Sequence, residues 1–272
     1  MYNFDLVEKE DLRPIDDLLF NLIYQDKAAC QELLRTVFDD DGLIVESVVA
    51  QDTIPNLHGR GVRLDVLCTM SDGSERNVEV QRSNNDDHFR RIRYNGAVIT
   101  AMYTPKGSDF KDITEVYIIY ITEFDPIRKG HLAYHIDSVI RETKDIIDDG
   151  FHRILINTTV NDGSRLARLM SNFVKKDFYD EEFPELKKQV DYYKSEEGKT
   201  EMSEYMEQRY RAIREALRDE VLTELREEVC KETIIRILQD CNNIDTAIKY
   251  TGASREYVLQ VQSEMNQNAS RT

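Results

Sequence analysis

The residues with the clearest chemical potential lie in "GVRLDVLCTMSDGSERNVEVQRS", residues 61–83. Asp65 interrupts one alternating apolar run, and Glu79 and Gln81 interrupt the next. Val62, Leu64, Val66, Cys68 and Met70 recur with period two, as do Val78 and Val80, so both runs read as strands whose even-numbered residues face a core. For the two even sets to share a face, paired residue numbers must sum to an even value, which excludes a two-residue Asp72-Gly73 loop. A three-residue loop, Ser71-Asp72-Gly73, satisfies the condition, with Gly73 in the left-handed position that such hairpins favour. Met70 then opposes Ser74, Asp65 opposes Glu79 with Cβ atoms about 4.5–5.5 Å apart, and Gln81 follows on the same face. Two carboxylates that close repel by about 4 kcal/mol at a separation of ~4 Å and an effective dielectric of ~20. A divalent cation removes that penalty, and hard oxygen ligands suit Mg2+ or Mn2+. The alternative is a solvated outer sheet face on which each acid pairs with Arg63, Arg76 or Arg82.

The elements that position these residues follow from the flanking periodicity. "RPIDDLLFNLIYQDKAACQELLRTVF" has apolar pairs at helical spacing, with Pro14 near its start, Asp16 as a candidate cap, and "DDDG" at its end. "LIVESVVA" (43–50) is β-branched and reads as a first strand. From Asn84 to Tyr103, apolar residues and Gly96 recur at three and four residues, which predicts a helix carrying the basic cluster "RRIRYNG". "EVYIIYIT" (115–122) and "RILINTTV" (153–160) read as strands, the first as one buried on both faces, and "GSRLARLMSNFVKKDF" as a further helix. Helix, three strands, helix, strand predicts an α/β fold, a mixed sheet flanked by helices. Beyond residue 195 the chain is charged and helical, with a stripe of Met206, Tyr210, Ile213, Leu217, Val221 and Leu225 followed by a short helical hairpin around Gly252. That divides the chain into residues 1–195 and a helical extension, 196–272, whose long helix is a candidate surface for homo-oligomerisation.

Composition narrows the partners. A formal net charge of −16 argues against broad non-specific nucleic-acid binding, because phosphate contacts come from Lys and Arg. Any binding face is a local exception, and "RRIRYNG" is the densest basic cluster. No apolar run reaches a membrane-spanning length and the N-terminal "MYNFDLVEKEDLRP" lacks a secretory apolar core, which predicts a cytoplasmic protein without a membrane partner. Cys30, Cys68, Cys230 and Cys241 lack metal-finger spacing and read as buried reduced thiols. His131 and His135 in "HLAYH" lie in a stretch that reads as extended, so they make a poor zinc pair.

"LRPIDDLLF", "GVRLDVLCTMSDGSERNVEVQ" and "RRIRYN", in this order and spacing, resemble the PD-(D/E)XK nuclease family transposases, relatives of the recombination-promoting nucleases. The resemblance covers roughly residues 10–195. It implies a restriction-endonuclease-like core and metal-dependent cleavage of DNA. Carried over by position, Asp65 matches the strand aspartate, Glu79 the acid of an E-x-Q variant of the (D/E)-x-K motif, and Gln81 stands where many relatives have Lys. Asp17 matches the first-helix acid, Arg91, Arg93 and Tyr94 the R-x-R-Y of the following helix, and the carbonyl of Val80 a further metal ligand. The resemblance thus implies a Mg2+ (or Mn2+) site at Asp65, Glu79 and Val80, a catalytic set of Asp17, Asp65, Glu79 and Gln81, and phosphate contacts from Arg91, Arg93 and Tyr94. Gln81 supplies no positive charge. Two readings therefore stand: an endonuclease of recombination type, and a catalytically silent DNA-binding or protein-interaction module with the same fold.

Overall fold

A computed structural model describes residues 11–50, 53–54, 62–84, 87–241 and 243–269. In chain order the elements are α1 (Asp17–Ile23), α2 (Lys27–Phe38), β1 (Val45–Ala50), β2 (Thr53–Ile54), β3 (Val62–Arg63), β4 (Val66–Met70), β5 (Glu75–Gln81) and α3 (His88–Tyr103). They continue with β6 (Val116–Thr122), β7 (Ala133–Ile136), β8 (Ser138–Val139), β9 (Ile146–Ile147), β10 (Phe151–Asn157), α4 (Arg165–Phe173) and α5 (Pro184–Lys194). Last come α6 (Glu196–Cys241), α7 (Ile244–Thr251) and α8 (Arg255–Ala269).

Six strands form one mixed sheet in the order β1-β4-β5-β6-β10-β7. β5, β6 and β10 run parallel, and β1, β4 and β7 pair antiparallel with their neighbours. Of the parallel strands, β6 and β10 are largely apolar, as strands covered on both faces are, whereas β5 carries the polar residues Glu75, Arg76, Asn77, Glu79 and Gln81. One face packs against α3, in a cluster that includes Leu67, Ile92, Ile99, Ile118, Tyr120 and Leu155. The other meets α2: Phe38 stacks edge-on against Tyr117, and the Arg76 guanidinium lies 4.1 Å from the Phe38 ring centre and 4.8 Å from that of Tyr117. The Arg76 side chain is buried there with Asp72 4.0 Å away.

The β4–β5 hairpin has the expected register, Val66 against Val78 through Thr69 against Glu75, with Gly73 at φ +82°. Two expectations about its faces are corrected. The alternation does not run unbroken from Val62 to Met70. The strand is interrupted at Leu64 and Asp65, so that Val62 and Leu64 join the α3-side cluster while Cys68 approaches Cys30 of α2. Nor is the odd-numbered face of β5 solvated: Glu75, Asn77 and Glu79 are all buried beneath α3.

At the start of the chain, Asp26 caps α2 by accepting from the Ala29 N–H at 2.9 Å. Asp16 occupies the corresponding position before α1 but makes no capping bond; its carboxylate turns to Arg13 and Arg82 instead. Cys30 and Cys68 are buried and reduced as expected, whereas Cys230 is half-buried and Cys241 exposed. His135 lies in strand β7, which confirms the extended reading of that stretch.

The chain divides into two compact units, the first ending at Met202 and the second spanning Ser203–Thr272. In the second, α7 and α8 form the expected hairpin, with Gly252 at φ +68° ending α7, over a core of Ile234, Leu238, Ala247, Val258 and Val261. Tyr210 and Leu225 of the long helix are exposed, and the side chains of Ile213, Leu217 and Val221 lie outside the described residues. No described helix is long and apolar enough to cross a membrane.

Gly96 fixes the height of α3 above the sheet. A Cβ built there would sit 2.2 Å from the ring of Phe151 in β10, so only a residue without a side chain permits this approach. Gly96→Ala should therefore destabilise the first unit by about 1–3 kcal/mol, despite the better helix propensity of alanine, as read from the midpoint of urea unfolding.

Candidate active site

Asp65 sits at the interruption between β3 and β4, and its side chain takes over a main-chain role there. Asp65 Oδ2 accepts the Val80 N–H at 3.0 Å, which sets the carboxylate against β5 one residue beyond Glu79. Glu79 points into the layer under α3 and is 5% exposed. Its Oε1 accepts from Asn77 Nδ2 at 2.8 Å and from Asn95 Nδ2 of α3 at 3.3 Å, and its carboxylate also accepts the Asp65 N–H. Burial first, and the neighbouring Asp65 charge second, push the Glu79 carboxyl up to about 8, while Arg91 pulls it down. The two acids are therefore brought together. They are held by crossed contacts at a strand break, and not as a ladder pair.

Gln81 is engaged at both ends of its amide. Nε2 donates to the Ser83 carbonyl at 2.8 Å, and Oε1 faces Arg91 Nη1 and the Tyr120 hydroxyl, each at 3.4 Å. Arg91 also pairs with Asp87 at 3.4 Å. The Tyr120 hydroxyl is held by His88 Nδ1 at 3.0 Å, and His88 Nε2 lies 2.9 Å from Asn84 Oδ1. Burial raises the Tyr120 phenol above its ordinary range. Within α3, Arg91 and Asn95 lie one turn apart on the side facing the acids, whereas Arg90 and Arg93 are exposed and Tyr94 packs half-buried against the core.

Asp17 is exposed at the first turn of α1, where Asn21 Nδ2 donates to its Oδ1 at 3.1 Å. Its neighbour Asp16 is the first-helix acid joined to the strand ends. Arg82 donates to Asp16 at 2.7 Å and to Glu123 at 2.9 Å, and Arg13 bridges Asp16 and Glu123 at 3.2 and 2.5 Å. This quartet ties the entrance of α1 to the ends of β5 and β6, where Glu123 N–H also donates to the Gln81 carbonyl at 3.3 Å.

Glu115, Asp148 and His152 form the one three-residue group among the described residues whose ligand atoms lie within 4.8 Å of one another. It stands at the other end of β6, some five residues or roughly 17 Å of strand from the Tyr120 that pairs with Glu79. Glu115 Oε1 is already bonded to His152 and to the Tyr117 hydroxyl.

Residues 14–163, more than half of the chain, match the family model described as PD-(D/E)XK nuclease family transposase. The chain belongs to this family. No curated protein and no solved structure matched it. For a PD-(D/E)XK nuclease family transposase, the mixed sheet between helices is the restriction-endonuclease-like core. Asn77, Asn95, His88 and Tyr120 were not singled out from the sequence. Asn95 carried a usable signal, being a polar residue one turn after Arg91 on the face of α3 that the apolar spacing marks as buried.

The raised Glu79 and Glu75 carboxyls, about 8 and about 7, set the direction of pH dependence. Each binds its proton more tightly folded than unfolded, so its stabilising contribution is complete below the ordinary 4.5 and is lost as pH rises through 7 to 8. In EDTA, Glu79→Gln should be more stable than wild type by more than about 1 kcal/mol above pH 8 and show a flatter decline of Tm from neutral to alkaline pH.

Proposed function

We propose that this protein is a Mg2+-dependent DNA endonuclease of recombination-associated type, hydrolysing phosphodiester bonds at Asp65 and Glu79. The observation that carries the reading is the placing of the half-buried Asp65 carboxylate against the buried Glu79 at the strand break, in a chain of nuclease family. A fold gains nothing structural from pressing Asp65 against a buried Glu79. A hard divalent cation suits the donor set, with the two carboxylates and the Val80 carbonyl holding it. When bound, such an ion lowers the pKa of a coordinated water and offsets charge on the attacked phosphate.

The chain's own residues supply the rest. Asn77 and Asn95 orient Glu79 by donating to its Oε1, so that its second oxygen is directed by two fixed bonds. The Val80 N–H fixes one oxygen of Asp65 in the same way. Gln81, with its amide nitrogen tied to Ser83, does not provide the charge of the usual lysine. Its oxygen faces Arg91, which brings a guanidinium from α3 to the same place. Arg91 is the cation for the scissile phosphate, and its forked donors suit two phosphate oxygens. Asp17 remains in the proposed catalytic set, at the exposed mouth of α1. This supply of charge from the helix favours an active enzyme over a silent module.

Plasmid nicking with Mg2+ or Mn2+ tests the reading. Asp65→Asn should lower cleavage by on the order of a thousandfold with an unchanged circular dichroism spectrum. Wild-type protein that leaves DNA intact in both metals refutes hydrolysis. Arg91→Ala should lose kcat by about a hundredfold with a smaller loss of DNA affinity, whereas Gln81→Ala, which removes the amide with its bond to Ser83 but no charge, should lose less. Equal losses in the two variants would place the charge elsewhere.

A further inference from the structure

Beyond Thr122, which pairs with Gln81 at the end of β6, the chain returns to β7 through "EFDPIRKGHLAY". Asp125 gathers this turn. Its Oδ1 accepts the N–H groups of Ile127 and Arg128 at 3.0 and 2.7 Å, its Oδ2 accepts that of Gly130 at 2.7 Å, and the Tyr134 hydroxyl lies 2.8 Å from both oxygens. The same hydroxyl accepts the N–H groups of Lys129 and His131 at 3.2 and 3.1 Å. Every main-chain N–H from Ile127 to His131 is thereby pinned by two side chains. Burial alone would raise the Asp125 carboxyl, but the bonds from Gly130, Tyr134, Arg128 and Ile127 hold it down at about 2.

This cage holds an arginine where arginine is disfavoured. Arg128 has φ +59° and Gly130 φ +73°, and a turn needing only to reverse the chain would put glycine or asparagine at the first of these. The result is that Arg128 and Lys129 stand side by side, exposed, with no ion pair among the described residues. The acids nearest in sequence do not neutralise them, since Asp125 is enclosed by its own turn and Glu123 is held by Arg13 and Arg82. The residue just before the turn reaches the helix that carries Arg91. The Phe124 ring centre is 5.2 Å from that of His88, in the first turn of the helix that carries Arg91.

We propose that the turn from Asp125 to His131 is a preformed clamp for the DNA backbone, in which Arg128 and Lys129 each hold a phosphate flanking the one attacked at Asp65 and Glu79. The assignment rests on the nuclease reading for the identity of the polymer. In a chain of net charge −16, two unneutralised cations on a rigid support are what a polyanion requires. Rigidity matters because a turn already fixed loses little conformational freedom on binding.

The test is binding of a fluorescein-labelled duplex by the full chain, measured by anisotropy in Ca2+ over a series of salt concentrations, with hydrolysis of bis(p-nitrophenyl) phosphate in Mn2+ as a parallel readout. Arg128→Ala/Lys129→Ala should bind several-fold more weakly and show a log affinity against log salt slope shallower by about two units, one per lost phosphate. Its hydrolysis of the small diester should match wild type. Arg128→Lys should keep the wild-type slope, and Asp125→Asn, which loosens the cage but keeps both cations, should weaken binding with the slope unchanged. A double variant with the wild-type slope overturns the clamp, as does wild-type binding that is indifferent to salt. Wild type that binds the duplex but cleaves neither substrate refutes the nuclease reading, and a two-unit change of slope in the double variant then still supports the clamp.

Discussion

The hydrogen bond from the Val80 N–H to the Asp65 carboxylate governs this structure more than any other single contact. A regular antiparallel pair would satisfy that amide with a main-chain carbonyl. Using a side chain instead ends the ladder at Val66, frees the preceding residues to pair with β2, and lets the strand change face. It also places a negative charge beside a buried glutamate. Local backbone geometry and site electrostatics thus have one origin.

Around that point the protein arranges cations in two ways. Arg13 and Arg82 are matched by Asp16 and Glu123, forming a charge-balanced knot that joins α1 to the strand ends. Arg91 is less completely matched, with Asp87 at 3.4 Å and a neutral amide oxygen as its other partner. A guanidinium that is only partly compensated keeps attraction to spare for a phosphate, whereas one inside a closed quartet does not. The division explains how an acidic protein can keep a locally attractive site.

Much of this was legible in the sequence. The hairpin register followed from residue parity and one glycine, because the period of a strand leaves no intermediate solution. The central strands were marked by continuous aliphatic runs, and the approach of Asp65 to Glu79 followed from the register. The change of face at Asp65 was hidden, since Val62, Leu64 and Val66 continue an unbroken alternation that either geometry satisfies. The burial of Asn77 and Glu79 was hidden as well, because a polar residue on an alternating strand looks the same under a helix as under water. The role of Asp16 was displaced from capping to ion pairing by Arg82, which is distant in sequence and close only in the fold. Asp17 was carried over by position alone, and the structure ties it to Asn21.

Strand β5 carries its charges segregated by layer. Arg76 packs against the Phe38 and Tyr117 rings on the α2 side, while Glu75 and Glu79 are buried on the α3 side. A slip of one residue against either neighbouring strand would exchange those layers. It would lift the guanidinium off the rings of Phe38 and Tyr117 and press it into the apolar cluster beneath α3, and it would bring both carboxyls against those rings. Each misplacement strands a charge without its matched surroundings, so an offset hairpin is penalised at both ends of the strand at once. The charged residues of β5 therefore favour the native register over its one-residue neighbours.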